Sequence, residues 1–221
     1  MHFIDYLSPF MQYLARDESA HTNNIPSLKI LSQDLGLSIS TIREQMEVAR
    51  VLGLVEVRPR VGIRRQEYSF LPAIRQSLGY AIVLDRSYFD SFSNLRTHIE
   101  TAYWFEAVQK LTPEDYNELQ ALVDRAWEKL RGTPIMIPHN EHRELHLTIY
   151  RRLDNPFVDA LLEAYWEAYE TVGLRYYNDY RYLETVWKSH QQIVNLIISG
   201  DFTAGHALLL EHTDLIQLRP E

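Results

Sequence analysis

Four histidines in the second half of the sequence have the spacing of a metal site. His142 and His146 are four residues apart and would share one face of a helix. His190 and His212 are 22 residues apart with Gly200 between them, so two antiparallel helices joined near residue 201 would bring them to one level. Neutral imidazole commonly ligates zinc, nickel and similar divalent ions. We therefore predict that these four residues bind one divalent metal; the alternative is four unrelated histidines, each satisfied by backbone or water.

The other histidines have no comparable arrangement, and we expect surface or packing roles for His2, His21, His98, His139 and His206, with His139 a reserve ligand. A hydrolytic site, in which the metal activates water, is an alternative from another class. Glu144 lies between the paired histidines but faces about 160–200° away from them around the helix, so they lack the general base of a His-Glu-x-x-His site. The pattern therefore does not favour an enzyme.

Residues 27–65 show a different pattern, that of a winged helix-turn-helix. A short helix with leucines at helical spacing precedes a tight turn at Gly36, and a second helix begins at Ser38 or Ser40. A strand pair then bends at Pro59 and Gly62. In such a module the second helix lies in the DNA major groove.

The residue types of this module suit DNA. Hydroxyls at the start of the second helix can cap free N–H groups or donate to a phosphate, and Arg43 falls one turn in, near base edges. Residues 58–65 contain four arginines and no acid, which favours a DNA-contacting wing over an ordinary solvated hairpin. The contacts predicted on these grounds are Ser38, Ser40, Thr41, Arg43, Arg58, Arg60 and Gly62.

Charge divides the chain of 221 residues into two parts. Residues 1–65 hold 8 basic and 7 acidic side chains, a net charge of +1, whereas residues 66–221 hold 14 and 23, a net charge of −9. A small DNA-binding domain attached to an acidic body fits this division, and a general nucleic-acid binder does not. We place the winged helix-turn-helix at residues 1–66, a linker at 67–71 and an all-helical domain at 72–221.

Apolar periodicity predicts helices almost throughout the second part. The expected helices are 3–14 in the first part and then 72–84, 86–110, 113–131, 139–153, 156–178, 181–199 and 202–216. The predicted fold is mostly α, with an N-terminal winged helix-turn-helix and a C-terminal all-α antiparallel bundle of six or seven helices. With no cysteine, no signal-peptide pattern and no apolar run long enough for a membrane span, we expect a cytoplasmic protein without a membrane partner.

The sequence resembles the GntR superfamily of bacterial transcription regulators, in the FadR-type branch whose C-terminal effector domain is called FCD. The family's Ser-Arg-Thr-Pro-Val-Arg-Glu-like string corresponds to residues 38–44, and its Gly-Leu-Val and Arg-Pro-x-x-Gly wing to residues 53–55 and 58–62. Its Arg-x-x-x-Glu string corresponds to residues 96–100 and its Asp-x-x-Phe-His string to residues 142–146. Its last two ligand histidines match His190 and His212.

The resemblance implies a homodimeric, ligand-responsive regulator of operator DNA, which we expect to act as a repressor. Metal-binding members hold a divalent ion, often zinc or nickel, beside a small carboxylate effector. Arg96 is then expected to bind the effector carboxylate, although Glu100, one helical turn on, could simply pair with it. Lys29 stands where relatives often have an arginine and joins the predicted DNA contacts. A regulator that senses the metal itself or an acyl ligand remains an alternative.

Two positions depart from the family pattern. Ile39 stands where many members carry a DNA-contacting arginine, so one contact of the family is missing. His142 stands where the family has an aspartate. An imidazole there can still ligate, but it removes one negative charge and leaves the ion more cationic, which favours an anionic effector or a softer metal.

Overall fold

The computed structural model of the chain describes residues 2–16, 24–173 and 180–217. The chain forms two compact units, residues 1–76 and 77–221. Both are dominated by helices, and the only strands within the described ranges form one small sheet in the first unit, which confirms the predicted mostly α fold class. None of the helices in these ranges has the length and apolarity needed to cross a lipid bilayer.

Among its described residues, the first unit has three complete α-helices and a three-stranded antiparallel sheet. Its elements are α1 (Pro9–Arg16), β1 (Asn24–Ile25), α2 (Leu28–Leu35), α3 (Ile39–Val51), β2 (Val55–Arg58) and β3 (Gly62–Arg65). The strand order is β1-β3-β2, and the hairpin register places Val57 opposite Ile63. Side chains from all three helices and both hairpin strands form its core, among them Phe10, Leu31, Ile42, Val55 and Ile63.

Two details of this unit differ from the sequence expectation. The helix expected over residues 3–14 is instead a 3₁₀ turn at Phe3–Tyr6 followed by α1. Pro9 explains the break, because a proline lacks the N–H that a helix interior needs and disfavours helical backbone at the preceding residue, Ser8. The strand β1 was not predicted; it pairs with β3 through Asn24 opposite Arg64.

The second unit is a helical bundle, and its first helix begins within the first unit. The helices are α4 (Leu71–Leu84), α5 (Ser87–Gln109), α6 (Pro113–Arg131), α7 (His139–Tyr150), α8 (Pro156–Gly173), α9 (Tyr180–Ser199) and α10 (Phe202–Gln217). The helix expected over 139–153 becomes a 3₁₀ turn after Tyr150. The end of the helix expected over 156–178 lies outside the described residues.

Three local features fix α9 and α10, the helices that carry His190 and His212. Gly200, with a φ of 79°, makes the left-handed turn between α9 and α10, which pack side by side. The start of α10 is fastened to α5, because the indole Nε1 of Trp104 donates to the backbone oxygen of Phe202 at 2.9 Å. Gly205 lies against the same indole, and a Cβ there would be 2.8 Å from Cζ2 of Trp104.

A buried carboxylate ties α6 to the end of α7. The Asp115 side chain is fully buried and belongs to the capping box of α6, where Thr112 is the N-cap. Nε of Arg151 donates to its Oδ1 at 3.0 Å, and Nε of Arg152 donates to its Oδ2 at 2.9 Å. Burial alone would raise the pKa of Asp115, but hydrogen bonds from Arg152, the Thr112 N–H and Arg151 hold the pKa well below its usual range.

Candidate metal centre and nucleic-acid interface

The structure brings the four predicted histidines together in the core of the second unit. His142 and His146 lie one turn apart on α7, His190 lies on α9 and His212 on α10. One nitrogen from each ring can be chosen so that all four lie within 4.8 Å of one another. None of the four side chains is more than 7% exposed. The helical spacing on α7 and the α9–α10 hairpin therefore place the rings as the sequence pattern predicts; that they bind a metal stays a prediction.

The rings face one another closely. The Nε2 atoms of His146 and His190 are 3.1 Å apart, and the ring centroids of His190 and His212 are 4.3 Å apart. For comparison, two nitrogens bound to one tetrahedral zinc ion stand roughly 3.4 Å apart. His142 completes the group with its ring centroid 4.6 Å from that of His190. The separation of the His146 and His190 nitrogens is therefore close to that of two ligands on one ion, and the ligand atoms of the whole group lie within 4.8 Å of one another.

Burial keeps these imidazoles neutral, which is the form that ligates metal. Desolvation is the largest cause and lowers the pKa of His142, His146 and His190 well below the ordinary histidine value. It lowers the pKa of His212 to about 3, with smaller contributions from His146 and Arg96. All four rings therefore offer a lone pair at neutral pH.

Several nitrogens of the cluster lack a hydrogen-bond partner. Among the described residues, nothing pairs with Nε2 of His142, Nδ1 of His190 or either ring nitrogen of His212. A buried polar atom left unpaired costs about 1–3 kcal/mol, so four such atoms at one place need an explanation. A divalent ion would satisfy lone pairs that no protein donor reaches, and this donor set fits one.

Arg96 and Glu100, both on α5, lie beside the histidines. Their side chains are 1% and 0% exposed, and Nε of Arg96 is 2.9 Å from Oε1 of Glu100. Nη2 of Arg96 is also 2.8 Å from Nδ1 of His146. The rings of Tyr165 and Trp166 flank the guanidinium at 4.9 and 5.2 Å. In this structure Arg96 thus has the Glu100 partner that the sequence left open as the alternative to effector binding.

Sequence reasoning treated Glu100 only as a partner of Arg96 and missed its place at the cluster. Its Oε1 atom lies 3.2 Å from Nδ1 of His146. Burial raises the pKa of Glu100, and the positive charge of Arg96, 2.9 Å away, opposes this rise and favours the ionised carboxylate. The four-residue spacing of Arg96 and Glu100 places them on one helix face, but nothing in the sequence shows that this face meets α7.

The remaining histidines that the structure describes are not part of the cluster. His98 is exposed and bonds to the Asn94 oxygen at 2.8 Å, and His206 approaches the Thr101 oxygen at 3.3 Å. His139 is half-buried at the start of α7 but is not among the converging residues. His2 is exposed, and His21 lies outside the described residues. Glu144 pairs with Nη1 of Arg143 at 2.6 Å and takes no part in the cluster.

The first unit presents the elements of the predicted DNA interface. Gly36 ends α2 in a left-handed conformation with a φ of 65°, and Ser38 caps α3 by accepting the Thr41 N–H at 3.1 Å. Ser40 and Arg43 lie exposed in the first turns of α3, beside Ile39, which is 40% exposed. These positions suit a helix that enters the major groove with its N-terminal end.

The cations of this unit differ in whether they form an ion pair with an acidic side chain. Arg58 pairs with Glu56 of its own strand at 2.8 Å. Arg43 and Arg60 are exposed and make no ion pair with any residue that the structure describes, and Lys29 is exposed on α2. Arg60 has a φ of 65° and Gly62 a φ of 108°, so the wing tip turns sharply between β2 and β3. Arg43, Arg60 and Lys29 therefore stay predicted DNA contacts whose charge is available, whereas the charge of Arg58 is paired.

Comparison with known proteins identifies a family and related folds. A family model, the FCD domain, matches residues 92–215. The HTH-type transcriptional regulator McbR of Escherichia coli K12 is 26% identical over 138 residues, which span 62% of this chain and 55% of that protein. Among solved structures, Streptococcus agalactiae GntR shares the fold with a TM-score of 0.66 at 20% identity, covering 94% of each chain. The E. coli McbR/YncC structure matches with a TM-score of 0.50 at 20% identity, over 96% of this chain and 98% of that one.

Proposed function

Because this chain belongs to the FCD-domain branch of the GntR family of transcription regulators, we propose that it binds operator DNA as a homodimer under the control of a divalent metal and a small organic acid. The first unit would read DNA, and the second would bind the ligands and dimerise. Two reading units related by a two-fold axis would match a pseudo-palindromic operator. Repression is the expected mode.

The histidine cluster is the observation that carries this proposal. Four buried, neutral imidazoles whose ligand atoms lie within 4.8 Å of one another have unpaired nitrogens that a divalent ion would satisfy. An all-nitrogen set of borderline ligands suits zinc or nickel. The ion would supply a Lewis-acidic position for an oxygen of the effector.

Charge balance indicates which acids the site should prefer. Four neutral ligands leave both positive charges of a divalent ion uncompensated, and Arg96 and Glu100 cancel each other. A net charge held away from water costs several kcal/mol, so an anion beside the ion is favoured. A family member with aspartate in place of His142 would need one negative charge less from the bound acid. We therefore expect dicarboxylates and hydroxydicarboxylates to bind more tightly than monocarboxylates.

Unpaired donors near the cluster support an effector with oxygen acceptors. Within the described residues, Nη1 of Arg96, the hydroxyl of Tyr165 and Nε1 of Trp166 are buried without a hydrogen-bond partner. All three belong to one group, because the two rings flank the guanidinium. A carboxylate could accept from the arginine fork, and further oxygens could accept from the ring donors.

A thermal-shift screen tests the proposal. Purified protein is first analysed for bound metal, and dicarboxylates and monocarboxylates are then compared at equal ionic strength, with zinc and after chelation. We expect dicarboxylates to raise the melting temperature of the zinc-loaded protein, and this rise to vanish after chelation and in Arg96→Ala. The absence of any metal-dependent acid effect contradicts the acid part of the proposal, and protein that takes up no divalent metal contradicts both parts.

A metal sensor without an acid effector is the second candidate. The pairing of Arg96 with Glu100 at 2.9 Å favours it, because the arginine then already has its counter-ion. Metal alone would in this case change operator affinity. A gel-shift titration of operator DNA with zinc, run with and without the best acid from the screen, separates the two candidates.

A further inference from the structure

We infer that Glu100 positions His146 for the metal ion and that Arg96 must release His146 when the ion binds. This inference rests on the proposed metal site and concerns the order in which that site takes its ligands. Its basis is the contacts of the two nitrogens of a single imidazole.

The two nitrogens of His146 face different partners. Nε2 lies 3.1 Å from Nε2 of His190, inside the histidine cluster. Nδ1 lies 3.2 Å from Oε1 of Glu100, on the α5 side. His146 is therefore placed to offer Nε2 to an ion and Nδ1 to the carboxylate.

An imidazole that ligates through one nitrogen carries its proton on the other, which then needs an acceptor. Glu100 has the capacity, because Nε of Arg96, 2.9 Å from Oε1, occupies at most one of the two lone pairs of that oxygen, and Oε2 has no hydrogen-bond partner among the described residues. A carboxylate that accepts this proton fixes the tautomer and orientation of the ring and raises its basicity as a ligand. Glu100 would thus act through His146 without touching the ion.

Arg96 is incompatible with that arrangement as it stands. Its Nη2 atom is 2.8 Å from Nδ1 and 3.2 Å from Nε2 of His146, and a guanidinium can only donate. If Nδ1 accepts from Arg96, the proton of His146 is on Nε2, the nitrogen that the ion requires. If Nε2 accepts instead, the lone pair that the ion requires is already taken. In both cases the guanidinium must turn away before Nε2 can ligate. Metal binding would therefore free the fork of Arg96 for a carboxylate, and metal should bind before acid.

This exchange predicts opposite effects for the two members of one ion pair. Glu100→Ala should weaken zinc binding by about 10- to 100-fold, the usual effect of losing such a partner. Glu100→Gln should lie between wild type and Glu100→Ala, because its amide oxygen can still accept from Nδ1–H. Arg96→Ala should bind zinc at least as tightly as wild type, because it removes a competing donor and a cation. If the pair served only packing, both alanine variants would weaken zinc binding alike.

Glu141→Gln is the matched control. Glu141 is also a buried glutamate, it pairs with Nζ of Lys129 at 2.7 Å, and it does not belong to the cluster. Its substitution breaks an ion pair that joins α7, the helix of His142 and His146, to α6. We expect less than a threefold change in zinc affinity in this variant, even if its melting temperature falls.

Zinc dissociation constants of the full-length variants are measured by competition with a chromophoric chelator. In parallel, protein labelled with ¹⁵N at histidine reports which nitrogen of His146 carries the proton, with the signal assigned through His146→Asn. We expect the Nδ1–H form in the zinc-loaded wild type and the Nε2–H form without zinc. Unchanged zinc affinity in Glu100→Ala, equal weakening in Arg96→Ala, or an unprotonated Nδ1 in the zinc-loaded wild type overturns the inference. Wild type that binds no zinc overturns the proposed metal site itself. The tautomer measurement needs only wild type and the assignment variant, so it decides the matter even if Glu100→Ala does not fold.

Discussion

Replacing His190 by alanine should abolish most of the stabilisation that zinc gives to the protein. His190 is fully buried, so the substitution costs stability without metal as well, and the informative quantity is the increment on adding zinc. At a zinc concentration of 100 times the wild-type dissociation constant, this increment is about 2.7 kcal/mol. If the loss of one ligand in four weakens binding about 100-fold, zinc then stands at the dissociation constant of the variant and contributes only about 0.4 kcal/mol. The difference of about 2.3 kcal/mol corresponds to roughly 5–9 °C in melting temperature.

Calorimetry of chelated and zinc-loaded protein, together with metal analysis, measures this difference. The control is His206→Ala, because His206 lies on α10 like His212 but contacts the Thr101 oxygen and the Phe105 ring instead of the cluster. His206→Ala should keep the full increment. A wild-type increment and unchanged zinc content in His190→Ala would refute the assignment of His190 as a ligand.

Four further substitutions test other parts of the structure. Arg43→Ala should weaken binding to the specific operator alone, by about 1–3 kcal/mol. Arg60→Ala should weaken binding to all DNA sequences alike and reduce the slope of log affinity against log salt concentration by about one. Fluorescence anisotropy at several salt concentrations measures both, and variants that bind the operator as tightly as wild type contradict the predicted contacts. Asp115→Asn should lower the free energy of unfolding by about 2 kcal/mol at pH 7, and because the pKa of Asp115 is depressed in the folded state, the gap from wild type should close as the pH falls below about 4. A gap that does not narrow at all as the pH falls below about 4 in urea unfolding contradicts this. Gly205→Ala should cost about 1–3 kcal/mol through its clash with Trp104, and an unchanged melting temperature contradicts that contact.

The histidine cluster could be predicted because its geometry is local along the chain. Residues four apart share a helix face, so His142 and His146 follow from helix periodicity alone. His190 and His212 follow from a hairpin whose turn, at Gly200, lies near the midpoint between them. Only the packing of α7 against this hairpin could not be predicted from the spacing of residues in the sequence.

Other features could not be predicted because they depend on contacts between distant elements. Glu100 meets His146 only because α5 packs against α7, and no spacing in the sequence encodes this packing. Strand β1 has two residues, too few for any periodicity, and exists because Ile25 pairs with Ile63. The break before α1 is different: Pro9 is a local signal, and apolar spacing alone was the wrong guide there.

Because the start of α10 is held by Trp104, a small tilt of this helix would move its other end the most. Phe202 and Gly205 hold one end of α10 against α5, and His212 lies ten residues beyond Phe202, about 15 Å along the axis. If α10 tilts about its held end, a tilt of only about 4° would move the imidazole of His212 by roughly 1 Å. The atoms that lie up to 4.8 Å apart could therefore close around an ion while the held end of the helix hardly moves. Motion of this kind would be largest at the C-terminal end of α10, so a probe attached there should report metal binding more strongly than one attached near Gly200.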